Sequence, residues 1–173
     1  MKNNDLKFLA DEMLGRLTRW LRILGSDVLY LNASDDELLL ITEKEKRTLL
    51  TRDITLFKKA AKHNITAYLV QGNTCIERLV DIRKNFCIEL QIDTTISRCP
   101  SCNFLIQPVE KSNISDRVHL GTLNNYDSFW ECSNCGKVYW QGGHWKNIQQ
   151  VLVKVKKITN RCVLIDNKIN IDS

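Results

Sequence analysis

The sequence predicts an α/β protein: a parallel sheet flanked by helices over residues 1–95, a small cysteine-paired module over 96–150, and a helix end and tail over 151–173. Three observations predict it. Strand-like apolar runs alternate with amphipathic helical runs up to about residue 92, the rhythm of parallel strands joined by crossover helices. Carboxylates follow three of those apolar runs. At about residue 97 the composition shifts to cysteine pairs and a dense aromatic group, Phe129, Trp130, Tyr139, Trp140 and Trp145.

The elements follow in order. "LKFLAD" (6–11) is a short strand and "LGRLTRWLRILG" (14–25) a helix closed by Gly25. At about 100° per residue, Leu14, Leu17, Leu21 and Leu24 fall on one stripe, and Arg16, Arg19 and Arg22 centre on the opposite, outward side. "DVLYL" (27–31) is the second strand, and "SDDELLLITEKEK" (34–46) is a helix opened by a Ser-x-x-Glu capping box, Ser34 with Glu37. "TLLT" (48–51), "TLFKKAAKHN" (55–64), "TAYLV" (66–70) and "TCIERLVDIRKNF" (74–86) give strand, helix, strand and helix. "HWKNIQQVLVKVKK" (144–157) reads as a short basic helix, and the residues from Ile158 onward as a last strand or a loose tail. Two prolines and seven glycines in the chain leave loops that are short or built from polar residues.

A hydrophobic content of 43% in 173 residues supports a real core. The net charge of +5, with a pI near 8.8, favours polyanionic partners such as nucleic acid without demanding them. The stretch "MKNNDLKFLADEM" has no apolar run of signal-peptide length, and no window approaches the roughly 18 apolar residues of a membrane span. A cytoplasmic protein without a membrane partner is expected.

The acidic residues carry the chemistry. Asp11 ends the first strand, Asp35 and Asp36 open the helix after the second, and Asp53 follows the third. In an open parallel sheet the functional crevice lies outside the carboxyl ends of the strands, where the strand order reverses. Each aspartate alone is an ordinary helix or turn cap. Together they repel, and a divalent cation is the natural compensation. Hard oxygen donors without His or Cys suit Mg²⁺ or Mn²⁺, which can promote phosphodiester hydrolysis. Glu12 and Glu37 are set aside, the first as pointing away if Asp11 points in, the second as used by the capping box. Arg16, Arg19 and Arg52 are candidate phosphate contacts, with a solvated surface as the alternative. A two-component receiver domain shares the acidic pair and the third-strand aspartate, but it also needs a Ser or Thr after the fourth strand and a Lys after the fifth. This chain has "VQGN" after its fourth strand and no suitable later strand with Lys.

Seven cysteines make an odd count for a disulfide framework, and four of them form the pairs Cys99/Cys102 and Cys132/Cys135. Each Cys-x-x-Cys pair can put two thiolates on one ion, with Gly136 permitting a tight turn after Cys135. Four thiolates predict a closed, structural Zn²⁺ of the zinc-ribbon pattern, which leaves no position for substrate. Cys75, Cys87 and Cys162 read as packing residues. Lys137 and His144 are candidate RNA contacts, with a helix cap or a proton carrier as the other roles open to His144; the module's aromatics read more readily as small-core residues than as base-stacking platforms.

With these pieces in place, the sequence resembles the mut-seven C-terminal RNase family, a PIN-like nuclease domain joined to a zinc ribbon. The resemblance rests on "FLADEMLGRLTRWLRILG" (8–25), "DDELL" (35–39), "LLTRD" (49–53), "RCPSCN" (98–103) and "FWECSNCGKVYWQGGHW" (129–145). It implies a metal-dependent ribonuclease, an endoribonuclease by preference, with acidic residues at Asp11, at Asp35 or Asp36, and at Asp53, and RNA as partner. Familiar PIN nucleases often add a fourth acid after the next strand. Here Gln71-Gly72-Asn73 stands in that place, with Asn73 as a neutral substitute ligand. The missing acid motivates a second reading, a non-catalytic RNA- or protein-binding adaptor.

Overall fold

The computed structural model describes residues 3–169. Strands β1 (Lys7–Ala10), β2 (Asp27–Tyr30), β3 (Thr48–Thr51) and β4 (Ala67–Leu69) form a four-stranded sheet in the order β2-β1-β3-β4. All its pairs are parallel, with Leu9 opposite both Leu29 and Leu49, and Leu50 opposite Tyr68. The crossovers are α1 (Gly15–Ile23), α2 (Asp35–Lys44) and α3 (Ile54–Lys62), and α4 (Cys75–Phe86) follows β4.

Both faces of this sheet are buried, so the central strands read as unbroken apolar runs. The pleat divides them: Phe8, Ala10 and Leu50 enter one core with Leu17, Leu21 and Ile82, whereas Leu9 and Leu49 enter the other with Leu38, Leu39 and Leu56. The leucine stripe of α1 is buried as the sequence predicts, with Leu14, Leu17, Leu21 and Leu24 all at or below 1% exposure. Gly25 closes α1 in the left-handed region (φ 96°), where Ser26 N–H donates to Leu21 O in a Schellman-type turn. A Cβ at Gly25 would lie 2.8 Å from Ile96, so this position needs glycine for space as well as for φ. The Ser34/Glu37 capping box forms on α2, and Thr74 with Glu77 forms a second one on α4.

Strands β5 (Ile106–Val109), β6 (Phe129–Cys132) and β7 (Val138–Trp140) make a separate antiparallel sheet in the order β5-β6-β7, with α5 (Leu120–Asn125) packed through Leu123 on a small core containing Phe129. Helix α6 (Gly143–Ile169) then returns to the first core, where Leu152 and Val155 are buried beside the elements that open the chain. The strand or tail expected from Ile158 is thus helical through Ile169, since no Gly or Pro interrupts residues 144–169. Residues 170–173 of the expected tail, and the side chain of Cys162, lie outside those described.

A polar seam holds the cysteine module against the sheet. Arg22 does not face solvent as its helical position suggests. It is 6% exposed and donates to Val28 O at 3.0 and 2.7 Å, Pro100 O at 3.0 Å and Ser101 O at 3.2 Å. The turn between Cys99 and Cys102 covers the end of α1, and its carbonyls require buried donors. Asn103 accepts from Val28 N–H (3.0 Å), satisfying the outer edge of β2, and donates to Asp27 (2.7 Å). Burial alone would push the Asp27 carboxyl up, but Arg47 at 2.9 Å together with Asn103 holds it below the usual carboxylate range. Replacing Arg22 with Met strands three carbonyls and should lower the unfolding free energy of the protein by about 2–3 kcal/mol in urea titrations. Lys, a single point donor, should rescue little of it.

Candidate functional site

Order β2-β1-β3-β4 places the reversal between β1 and β3, so the crevice opens where Asp11 and Asp53 leave the sheet. Asp11 is 5% exposed; its Oδ1 accepts from Met13 N–H at 2.9 Å, and its Oδ2 accepts a short hydrogen bond from the Thr51 hydroxyl. The same hydroxyl oxygen accepts from Asp53 N–H at 2.9 Å. Asp53 caps α3 through Oδ1, which takes Thr55 N–H at 2.6 Å and Leu56 N–H at 3.3 Å and leaves Oδ2 unused by the cap. Thr51, a residue that the sequence does not single out, therefore ties the Asp11 carboxylate to the backbone of Asp53 across adjacent strands. Both aspartates do act as caps, and a cap occupies only one carboxylate oxygen.

The acidic pair on α2 is arranged differently. Asp36 is exposed and paired with Lys59 of α3 at 2.8 Å, which holds its carboxyl below the ordinary value. Asp35 is half-buried in the first helical turn and close enough for its charge to stabilise the same ammonium. Lys59 thus supplies positive charge that compensates the acidic pair on α2. Among the described residues, the four cysteines are the group of three or more metal-ligating side chains whose ligand atoms all lie within 4.8 Å of one another, and no such group of carboxylates forms.

Beside the rim lies a cleft of about 720 Å³ between the start of α1 and the β4–α4 turn. Arg16 and Arg19, both exposed, line it, joined by Arg78, Glu12 and Asn73. Arg78 is a residue that sequence reasoning misses, because its place depends on α4 folding back beside α1. Its guanidinium donates to Gly72 O (3.1 Å) and Asn73 O (3.3 Å), fixing the turn. Glu12, set aside on strand alternation, faces the cleft because the chain leaves β1 as a 3-10 turn rather than as more strand. Where a fourth acid would follow β4, Asp81 reaches back from α4 and is held there by the Tyr68 hydroxyl and Gln71 N–H, each at 2.8 Å. Arg52 is partly buried beside Asp53 and does not line this cleft.

The second centre is built from β6 and the two cysteine turns. Sγ atoms of Cys99 and Cys135 lie 3.6 Å apart and those of Cys102 and Cys132 3.3 Å. A tetrahedral Zn²⁺ with Zn–S near 2.3 Å requires sulfurs about 3.8 Å apart, so the donor set fits. Gly136 (φ 67°) and, in the first turn, Asn103 (φ 74°) take the left-handed conformation that lets amide N–H groups point at sulfur. Burial works against ionisation, yet the Phe104 amide and the neighbouring thiols bring Cys102 down to about 6, while burial pushes Cys132 up to about 12. A dication would draw all four into the thiolate form. The positive charge of Arg22 lies close enough to Cys99 and Cys102 to interact with them. Tyr139 hydroxyl contacts Cys99 Sγ at 3.0 Å.

The remaining predicted contacts are dispersed. Lys137 donates to Ser101 Oγ at 2.8 Å across the two cysteine turns, and His144 lies in an apolar groove at the start of α6 rather than in the arginine cleft. Cys75 is half-buried, but Cys87 is exposed at the end of α4 and is not a packing residue. No helix among the described residues is long and apolar enough to cross a membrane.

Residues 6–152 match the protein-family model described as the Mut7-C RNAse domain. No curated protein and no solved structure matches the chain.

Proposed function

The chain belongs to the Mut7-C RNAse domain family, and from that premise we propose that it is a metal-dependent endoribonuclease hydrolysing RNA phosphodiester bonds. The observation that carries this reading is the Asp11–Thr51–Asp53 unit at the switch point, next to a cleft lined by three arginines. Asp11 and Asp53 offer hard oxygen donors of the kind Mg²⁺ and Mn²⁺ prefer, and those ions commonly take only one or two protein carboxylates plus water and substrate phosphate. On α2, Asp36 is held by Lys59, which leaves Asp35 for an outer contact with the ion through bound water rather than as a third direct ligand. When bound, the ion supplies a water made nucleophilic near neutral pH and charge stabilisation for the leaving oxygen.

The protein groups do the rest. Thr51 orients the Asp11 carboxylate through its hydroxyl, as second-layer partners of metal ligands commonly do. Arg16, Arg19 and Arg78 would bind backbone phosphates and set the register of the strand on the rim. The four-cysteine centre is a structural metal site such as zinc, and it holds the small sheet without taking part in the chemistry.

The experiment is an RNA cleavage assay on zinc-loaded protein with and without added Mn²⁺. The expected result is cleavage only with the added ion. Changing Arg16 or Arg19 to Gln should raise KM several-fold with little effect on kcat. Each should also flatten the dependence of log affinity on log salt by about 0.7, the increment for one phosphate contact on a single strand. A non-catalytic RNA-binding adaptor is the second reading. It is favoured by the Lys59–Asp36 pair and by the absence, among the described residues, of a converged carboxylate triad. RNA binding across several substrates with no ion-stimulated cleavage would select it.

A further inference from the structure

Exposed apolar side chains of the parallel-sheet unit gather where its acids do. Among the described residues up to Phe86, the exposed large apolar side chains are Met13, Tyr30, Leu40 and Ile54, and all but Leu40 stand at or just past the carboxyl ends of β1, β2 and β3. Single exposed apolar residues are ordinary, but a group on the edge that carries Asp11 and Asp53 points to a ligand with apolar surface of its own.

Tyr30 is held in place there. Its register opposite Ala10 sets it beside the residue that precedes Asp11, and its hydroxyl donates to Glu12 O at 3.0 Å. A Cβ at Gly15 would lie 3.0 Å from the Tyr30 Oη and 3.2 Å from its Cζ, so the bare start of α1 is the seat of the ring. The seated residue is still 40% exposed, and it belongs to neither core cluster of the sheet. Ordering a ring without burying it costs conformational entropy that a ligand covering the ring would offset.

The neighbourhood selects the ligand. Glu12 and Gly15, the two residues against which the ring rests, are also walls of the cleft that holds Arg16, Arg19 and Arg78. A free phosphate would use the guanidinium groups alone, and an apolar molecule the ring alone. A nucleotide uses both, since one ribose joins its flat base to its phosphate.

We infer that Tyr30 is the stacking platform for one unpaired nucleobase of the RNA whose neighbouring phosphates lie on Arg16, Arg19 and Arg78. The inference rests on the ribonuclease reading for its choice of RNA. It adds a substrate-binding residue of a different kind: the arginines place the phosphate chain, and the ring fixes one base on the rim without reading its identity.

The test is binding by the full-length protein, with its four-cysteine centre metal-loaded and no Mg²⁺ or Mn²⁺ added, measured by fluorescence anisotropy. The probes are a labelled oligoadenylate and an abasic ribose-phosphate chain of equal length and charge. The oligoadenylate should bind about tenfold more tightly, the worth of roughly one stacked base. Tyr30→Leu should bring it close to the abasic value, with circular dichroism, metal content and affinity for the abasic chain unchanged. Tyr30→Phe keeps the ring and loses only the bond to Glu12 O, so it should retain the preference. Gly15→Ala suits the helical backbone there (φ −56°), but its methyl displaces the ring, so the preference should fall with Tyr30 itself intact. In the Mn²⁺ cleavage assay, Tyr30→Leu should raise KM several-fold with kcat near that of the parent.

Equal affinity of the parent for the two probes, or a full preference in Tyr30→Leu, would overturn the inference. So would a Tyr30→Phe protein as impaired as Tyr30→Leu, because the residue would then act by pinning Glu12. The two readings fail separately: cleavage with no contribution from the ring removes the platform alone, and a Tyr30-dependent base preference without Mn²⁺-stimulated cleavage removes the nuclease alone.

Discussion

Asp53→Asn should reduce Mn²⁺-dependent RNA cleavage by at least roughly a hundredfold, the effect of removing one strong electrostatic group from a reacting centre, while leaving stability almost unchanged. The two expectations belong together. Asn caps a helix about as well as Asp, so Thr55 and Leu56 keep an acceptor for their amides, and only the negative charge is lost. A cap role alone predicts no change in either quantity. Asp53→Ala separates the effects further, since it should add a loss of about 1 kcal/mol of stability to the same loss of cleavage. Asp11→Asn should be at least as damaging to cleavage. Its side chain is buried against Thr51, so its circular dichroism and zinc content must be compared with the parent before the rate is interpreted.

Removing the metal of the four-cysteine centre, a structural ion such as zinc, should have the largest effect on the structure itself. Cys132→Ser, or chelation of the wild-type protein, should take bound zinc from one ion per chain to none and melt the β5-β6-β7 sheet, because a small module draws on metal binding worth about 10–16 kcal/mol. The consequences extend into the parallel sheet. Without the first cysteine turn, Arg22 loses Pro100 O and Ser101 O, and the Val28 amide loses Asn103. Hydrogen exchange at Val28 N–H should therefore accelerate sharply on zinc removal, whereas Leu9 and Leu49, interior to the sheet and fully buried, should stay protected. Unchanged exchange at Val28 would mean that the seam contributes nothing to the edge of β2.

Much of this architecture is legible in the chain because local and tertiary preferences agree. Phe8, Leu9, Leu49 and Leu50 lie in unbroken apolar runs, since a parallel sheet buries both faces. The α1 leucines, the Ser34/Glu37 box and the spacing of the four cysteines each encode one local geometry that the fold uses unchanged. What is not legible depends on which surfaces meet. Arg22 looks outward on a helical wheel, and only the docking of the cysteine turn buries it. Asp36 looks equivalent to Asp35 until α3 brings Lys59 against it. Arg78 enters the cleft because α4 packs beside α1, and Thr51 matters because β1 and β3 are neighbours. Past Ile158 the β-branched residues suggest a strand, but continuity with a helix already packed on the core prevails.

The central claim is that Asp11 and Asp53 share a divalent ion at the switch point of the sheet. Anomalous diffraction from crystals of the zinc-loaded protein soaked in Mn²⁺ tests it most directly. The expected result is a manganese peak about 2.1 Å from a carboxylate oxygen of each aspartate, distinct from the zinc peak among the cysteines. A manganese signal confined to the cysteine centre or absent, with Asp11 still bonded only to Thr51 and Met13, would contradict it.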